Sequence, residues 1–464
     1  MARKWWTLVA VCTATFMLLL DITIVNVALP AIQRALHASF SDLQWVVDAY
    51  ALALATCVLT AGALADLFGR KRLFLVGIAL FTVASAACGL ANDALFLIIA
   101  RGLQGIGGAM MFATALALLS QEFHGRERGT AFGLWGAVIG AAVAIGPLAG
   151  GMLTSWLSWR WIFLVNIPIG VVAVVLGARR LSESSDPEHS RLDPPGLVTL
   201  TAGLFCLILA LIEGNDRGWT STFILVLLAA AAVILAAFVA FQAREGATMV
   251  DLALFRRPAF VGAQTTAFAI SSSMFAMFLY LTLYLQNVLG LSPLETGVRF
   301  LPLSAVSFFA APLAGRLTAH LPIRALLASG LALNALAMLL MSRVETTSHW
   351  TVLLPGFLVG GVGIGFVNAP LATTAVSTVR VERAGMASGI NNAFRQIGIA
   401  TGIAGLGAIF ASSVGNDHSR AAFVHGLHDI LLVGAAVAAV GAVLAAVLVR
   451  RQDFVASGPQ QQSA

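Results

Sequence analysis

LLLDITIVNVALP, residues 18–30, places a carboxylate, Asp21, inside an apolar run that begins at Trp5. A charged side chain near the centre of a bilayer costs roughly 2.5–3.5 kcal/mol on insertion scales, so an acid kept there implies a function and a partner. The bland reading is a surface Asp at a misjudged helix end. It requires the helix to leave the membrane nine residues before Pro30, an error of roughly 14 Å at ~1.5 Å per residue.

The rest of the chain supports the membrane reading. Of 464 residues, 59% are hydrophobic and only 10% charged, with mean hydropathy +0.92, more apolar surface than a soluble core can use. Apolar runs of about 20 residues recur along the whole length, the pattern of membrane helices and not of a barrel. Fourteen are expected, among them 5–30, 44–65, 94–118, 129–153, 160–180, 259–287, 384–411 and 427–449. The net charge of +6 does not imply nucleic acid, because the cations sit in short loops and not along one face. With the N-terminus in the cytoplasm, most of the 27 Lys and Arg fall on the inner side, so both termini are expected there. The basic N-terminus precedes a run too long for a signal-peptide core and reads as a retained first span. Cys12, Cys57, Cys88 and Cys206 lie in apolar runs without CxxC spacing and read as small packing residues.

Polar segments at 181–195 and 244–258 divide the chain into an N-terminal six-helix bundle (1–180), a linker with two additional helices (181–258) and a C-terminal six-helix bundle (259–464). Paired helical halves around a midplane site are a transporter plan. A faint repeat agrees: GALADLFGRKR at Gly62–Arg72 has a worn counterpart, lacking the acid, in PLAGRLTAHLPIR at Pro312–Arg324.

The partner expected for Asp21 is Arg101, seven residues into span four, so that both lie about 10–14 Å below the outer face. Such a pair is a candidate proton switch, or else a static ion pair that fixes packing. Asp48, about one turn into span two, is either a second proton or cation site or an interfacial group; Trp45 and Tyr50 beside it fit the interfacial aromatic belt at least as well as a drug pocket. In the loop after span two, Gly62 permits close helix approach, Asp66 can pair with Arg70 or with the positive end of a neighbouring helix, and Gly69 allows a tight reversal before Arg70, Lys71 and Arg72. In span five, Gly146, Pro147, Gly150 and Gly151 promise a kinked helix contact. Asn391, Asn392, Arg395 and Gln396 in span thirteen are too polar to face lipid. This cluster contacts either substrate or only helices, and with Asn26 and Gln104 its residues are candidate substrate contacts. No ATP-binding GxxxxGK[ST], HExxH or nucleophile–base pair appears, and His425, His428 and Asp429 near the last span are not assigned a metal. The chain therefore reads as no enzyme and as needing no cofactor, with an ion gradient supplying energy.

These stretches resemble the major facilitator superfamily and, within it, the fourteen-helix drug:proton antiporters. The resemblance rests on LDITIVNVALP, GALADLFGRKR, RGLQGIGGAM from Arg101, IGPLAGG from Ile145, WRWIFLVNIPIG from Trp159, LYLQNVLGLSPLETGVRFLP from Leu283 and GMASGINNAFRQIG from Gly385. It implies an all-α membrane fold of two six-helix bundles plus two helices, working by alternating access. It also ties Asp21 and Arg101 to proton coupling, Gly62, Asp66, Gly69 and Arg70 to a gating loop, and Gly146, Pro147, Gly150 and Gly151 to an antiporter motif; Ala142 departs from the glycine that often opens that motif. The expectation is a monomeric exporter of drugs or antibiotics in a bacterial cytoplasmic membrane, with protons, the substrate and the lipid bilayer as its partners. No acid lies deep in the spans after Glu295, which favours neutral or monocationic amphipathic substrates. A proton symporter of the same fold and a non-transporting receptor are the alternatives.

Overall fold

The computed structural model describes residues 3–184, 193–243, 250–318, 320–379, 384–415 and 419–450. Among them there is no strand. The helices are α1 (Arg3–Leu36), α2 (Phe40–Phe68), α3 (Arg70–Gly89), α4 (Ala94–Glu122), α5 (Gly125–Trp156), α6 (Trp161–Leu164), α7 (Asn166–Arg180), α8 (Pro194–Arg217), α9 (Thr222–Gln242), α10 (Pro258–Leu283), α11 (Pro293–Leu317), α12 (Ile323–Met341), α13 (Leu354–Ser377), α14 (Ala384–Val414) and α15 (Arg420–Leu448). Thirteen segments among the described residues are long and apolar enough to cross a membrane, with α6 and α7 forming one of them. The 32-residue α5 packs against α1 and α11, giving fourteen rods.

Large apolar side chains face outward, such as Val83 at 68% exposure, Val233 at 69% and Phe309 at 73%, while Asp21, Arg101, Gln104 and Asn166 are buried at 1% or less. This inversion of a soluble protein fits a surface solvated by lipid tails, with polar groups satisfied internally.

Three boundaries differ from the sequence expectation. Helix α1 does not end at Pro30 but continues to Leu36. The span expected at 160–180 is broken at Val165 into α6 and α7, which puts Asn166 at the start of a new helix. Helix α15 begins at Arg420, so Asp429 lies more than two turns inside it. There its carboxylate accepts a hydrogen bond from Ser413 Oγ at 2.6 Å and sits 3.4 Å from His425. His428 Nδ1 is 2.9 Å from the Ser342 carbonyl oxygen.

Helices α1–α7 pack mainly on one another, as do α10–α15, and the two groups meet through α2 with α14, α5 with α11 and α13, and α4 with α14. Helix α8 touches both α2 and α14: Thr60 and Thr201 hydroxyls lie 2.8 Å apart, and Asn215 Nδ2 donates to the Ala404 carbonyl at 3.0 Å. The closest approaches between the groups lie at the end of the bundle that carries the α2–α3 loop, called here the loop end. Gly389 on α14 sits against Val58, Leu59 and Gly62 of α2, and Gly129 on α5 against Gly315 of α11. The two stretches paired as a faint sequence repeat thus make equivalent contacts, each closing its own group of helices onto the other.

At Gly315 an added Cβ would lie 2.0 Å from the Gly129 carbonyl oxygen, a collision of backbone with side chain that no rotamer relieves. Gly315→Ala is expected to push α5 from α11 at a cost of about 1–3 kcal/mol. Spin labels on the loop ends of the two helices should show a population at longer distance by pulsed electron resonance. An unchanged distance distribution would contradict this account of the contact.

Candidate functional site

The site is assembled by helix starts. Asp93 caps α4, its carboxylate accepting from Phe96 N at 2.8 Å, and this fixes Arg101 two turns into the helix. Ser39 and Asp42 form a reciprocal capping box that starts α2, so Val46 and Tyr50 fall on the face toward α4. Close α2–α4 packing is possible because residue 105 is glycine: a Cβ there would lie 2.4 Å from the Tyr50 carbonyl oxygen.

Asp21 and Arg101 meet, with Arg101 Nη1 2.5 Å from Asp21 Oδ2. Gln104 Nε2 donates to Asp21 Oδ1 at 2.8 Å, and Asn166 Nδ2 donates to the same oxygen at 3.0 Å. Arg101 also donates to Gln104 Oε1 at 2.7 Å and, through Nε, to the Val46 carbonyl at 2.9 Å. Its guanidinium carbon stands 4.2 Å from the Tyr50 ring centroid, a cation–π contact that desolvation strengthens. Ser85 Oγ accepts from Gln104 at 2.7 Å and from Asn166 at 3.3 Å, and Cys88 Sγ lies 3.8 Å from Gln104 Oε1. Five segments of the first helical group thus converge on one carboxylate.

A neutral carboxylic acid would have to set a hydroxyl against one of these N–H donors, so protonation requires a partner to leave or turn. The arrangement holds a charge pair out of water, where removing either member is costly and the pair itself contributes little net stability.

Gln104, expected among the substrate contacts, is instead fully buried, with its amide committed to Asp21, Ser85 and Arg101. Tyr50, expected in an interfacial belt, is 2% exposed beneath Arg101. Asn166 and Ser85 were not singled out from sequence, and Cys88 was read as a packing residue only. Only Asn166 carried a signal, as an amide in mid-span two residues before Pro168.

Asp48 stands apart from the pair, half-buried and in electrostatic reach of Glu213 and Asp216 near the end of α8. The loop residues form a second site. Arg70 donates to Asp66 Oδ1 through Nε at 3.0 Å and Nη2 at 2.9 Å, while Asp66 Oδ2 accepts from Met386 N at 2.6 Å. Asp66 therefore binds both partners offered by the sequence, the arginine and the N-terminus of a helix in the other group. Gly69 has φ 105°, the left-handed region that glycine tolerates. It delivers the Lys71 and Arg72 amides to the Glu183 carboxylate at 3.0 and 3.1 Å. Lys71 Nζ donates to the Ala178 carbonyl at 2.9 Å.

In α5, a Cβ on Gly146 would lie 1.8 Å from Thr23 Oγ1, and one on Gly150 2.8 Å from the Ile24 carbonyl oxygen, whereas Gly151 has open space. The antiporter stretch thus packs on the turn of α1 that follows Asp21. Ala142 is fully buried. The side chains of Asn26 and Pro147 lie outside the described residues. On α14, Asn391 donates to Gln264 Oε1 at 3.2 Å, Asn392 to the Phe112 carbonyl of α4 at 3.2 Å, and Arg395 to Asn368 Oδ1 at 3.3 Å; Gln396 is half-buried. In this state Asn391 and Asn392 serve helix contacts, and Asn392 joins the two groups of helices.

A model of the Major Facilitator Superfamily matches residues 11–403. The chain belongs to that superfamily. Multidrug resistance protein Stp of Mycobacterium tuberculosis is 40% identical over 407 residues, which are 88% of this chain and 76% of that protein. The tetracenomycin C resistance and export protein of Streptomyces glaucescens is 37% identical over 415 residues (89% and 77%). The puromycin resistance protein pur8 of Streptomyces alboniger is 37% identical over 413 residues (88% and 82%). Among solved structures, the proton:xylose symporter XylE superposes with TM-score 0.71 at 13% identity over 97% of this chain and 96% of that one. The human organic anion transporter MFSD10 gives 0.69 at 15% identity over 96% and 100%. These two establish the fold of this superfamily member.

Asp66→Ala removes the acceptor of a buried arginine and of the Met386 amide together. Such truncations cost about 3–5 kcal/mol, so a lower melting temperature in detergent is expected. Faster hydrogen exchange at the first amides of α14 should accompany it, and unchanged exchange there would refute the contact.

Proposed function

We propose that this chain is a proton-driven antiporter that exports amphipathic drugs or antibiotics across a bacterial cytoplasmic membrane by alternating access. It works as a monomer, with both termini and the α2–α3 loop in the cytoplasm. The observation that carries the reading is the buried Asp21–Arg101 pair with its amide partners, a cluster built to hold one carboxylate in two protonation states. The names of the relatives support export: they are resistance and export proteins for multiple drugs, tetracenomycin C and puromycin.

In the working cycle residues 1–180 and 259–464 rock about the central space, with 181–258 at the side. The contacts of Asp66 with the start of α14 and of Gly129 with Gly315 join the halves at the cytoplasmic end, the arrangement of a transporter turned toward the outside. There Asp21 takes a proton, which releases Arg101. After the halves reverse, the substrate enters from the cytoplasm, Arg101 returns to Asp21 and the proton leaves inward. One proton moving down a potential of 100 mV yields about 2.3 kcal/mol, enough to drive roughly fifty-fold accumulation. Neutral and monocationic substrates fit best, since Asp429 on α15 is held by Ser413 and His425 and the polar cluster on α14 carries a cation, Arg395, that donates to Asn368 of α13.

Asp21→Asn keeps the shape and cannot titrate. Reconstituted in liposomes under an imposed pH gradient, it is expected to lose uphill transport of a fluorescent substrate by at least tenfold while the folded yield stays the same. Full gradient-coupled transport by this variant would sink the assignment.

A further inference from the structure

The two amides on Asp21 are not equivalent. Gln104 is locked at both ends: its Nε2 donates to Asp21 Oδ1 and Ser85 Oγ, and its Oε1 accepts from Arg101 at 2.7 Å. Asn166 also donates through Nδ2 to Asp21 Oδ1 and Ser85 Oγ, but its own Oδ1 is buried with no hydrogen-bond partner in a residue 1% exposed. A buried amide oxygen without a donor is costly. The orientation persists because the alternative would aim that oxygen at a carboxylate. The acceptors that set this orientation are Asp21 Oδ1 and Ser85 Oγ, and of the two only the carboxylate can change its charge.

From this we infer that Asn166 is the hydrogen-bond partner of protonated Asp21, an amide that turns from donor to acceptor when the proton arrives. The inference rests on the antiporter reading above. In the step, Asp21 Oδ1 gains a proton from water on the outer side and becomes a hydroxyl. Asn166 rotates about its terminal torsion, so that Oδ1 takes the place of Nδ2, 3.0 Å from the new O–H and 3.3 Å from the Ser85 hydroxyl. Both can donate to it. Gln104 cannot make the same turn while Arg101 holds its oxygen, so Asn166 is the group that can answer protonation before the ion pair has fully parted. The titratable and charged groups facing Asp21 are Arg101 on α4, Tyr50 on α2 and Cys88 on α3; α1, α5 and α7 contribute none at this contact among the described residues.

The fold places Asn166 for this task. It is the first residue of α7, directly after the break at Val165, and α6 before it is seated by buried Ile162 and Phe163. Arg160 anchors the approach by donating to the Ala91 carbonyl at 2.9 Å.

The size of one shift separates this role from a structural one. The pH dependence of gradient-driven substrate transport would be recorded in proteoliposomes for the natural chain, Asn166→Leu, Asn166→Ser and Asp21→Asn. If Asn166 only steadied the carboxylate, Asn166→Leu would remove a donor from the charged form alone and raise the midpoint by about one to two units, the worth of one hydrogen bond to a charged group. If Asn166 also accepts from the protonated form, the neutral form loses a bond as well, the two losses offset, and the midpoint rises by less than about one unit. Asn166→Ser, whose hydroxyl can donate and accept, should stay within the same limit and serves if the leucine variant does not fold. Infrared difference spectra give an independent reading. The carboxylic C=O band that Asp21→Asn abolishes should shift to higher frequency in Asn166→Leu. A midpoint that rises by more than about one unit, or an unshifted band, overturns the role of Asn166 alone. Coupled transport surviving in Asp21→Asn overturns the antiporter reading beneath it.

Discussion

Everything in the first helical group is arranged so that one guanidinium and one carboxylate can meet away from water. An isolated charge at that depth is expensive, and the cost forces its neighbours into place. Arg101 has to satisfy its fork on Asp21, Gln104 and the Val46 carbonyl, which requires α2 to approach α4 as closely as Gly105 allows. Asp21 has to fill its remaining acceptor sites, which brings α4 and the broken α6–α7 segment to α1. The cluster is thus a geometric constraint on five segments at once, and any change in the charge of Asp21 is felt by all of them.

A network of this kind stabilises little compared with an apolar core of equal size, because desolvation offsets much of the attraction. In the antiporter reading its use lies in having two arrangements. With the carboxylate charged, Gln104 is held through both its nitrogen and its oxygen, while Asn166 is held through its nitrogen alone. With it neutral, the reason for Arg101 to stay is gone. A packed interior passes such a change on as a switch and not as a gradual deformation, because close-packed elements have few alternative positions.

The fold was legible because the bilayer imposes a strong rule: residues facing lipid must be apolar over about 20 positions, and fourteen runs can be counted. The pairing of Asp21 with Arg101 was legible for the same reason, since depth along a helix follows from residue count. Helix ends were less so. Nothing in the chemistry of 30–36 or 420–427 marks where the bilayer stops, and helices continue past it as long as their backbone is satisfied. The amide and hydroxyl partners were least legible. Gln104 and Asn166 are neutral, and their sequence positions do not say whether they face a cavity or another side chain; that depends on the α6–α7 break and on the rotation of each helix. Asp48 shows the limit from the other side, for its neighbours Glu213 and Asp216 come from α8, more than 160 positions away in the chain.

Helix α5 links the cluster to the opposite half. At one end, Gly146 and Gly150 receive Thr23 and Ile24, the residues of α1 that follow Asp21 by less than one turn. At the other, Gly129 and Gly133 lie against Gly315, Ala311 and Pro312 of α11 in the opposite half. Between them Trp135 is buried, and its Nε1 donates to Thr15 of α1 at 3.0 Å. A helix is stiff along its axis, so in the proposed cycle a small rotation of α1, when Asp21 lets go of Arg101, would be carried by α5 to the contact at the loop end. The glycines allow close contact: Gly150 meets the Ile24 carbonyl of α1 and Gly129 the Gly315 carbonyl of α11, while at Gly146 the neighbour is the short side chain of Thr23. The same closeness explains why the antiporter stretch needs small residues on both sides of α5 and why Gly151, which faces open space, is not part of that contact. The Asp21 cluster and the contact between the two halves at the loop end are separate in sequence and joined by one helix.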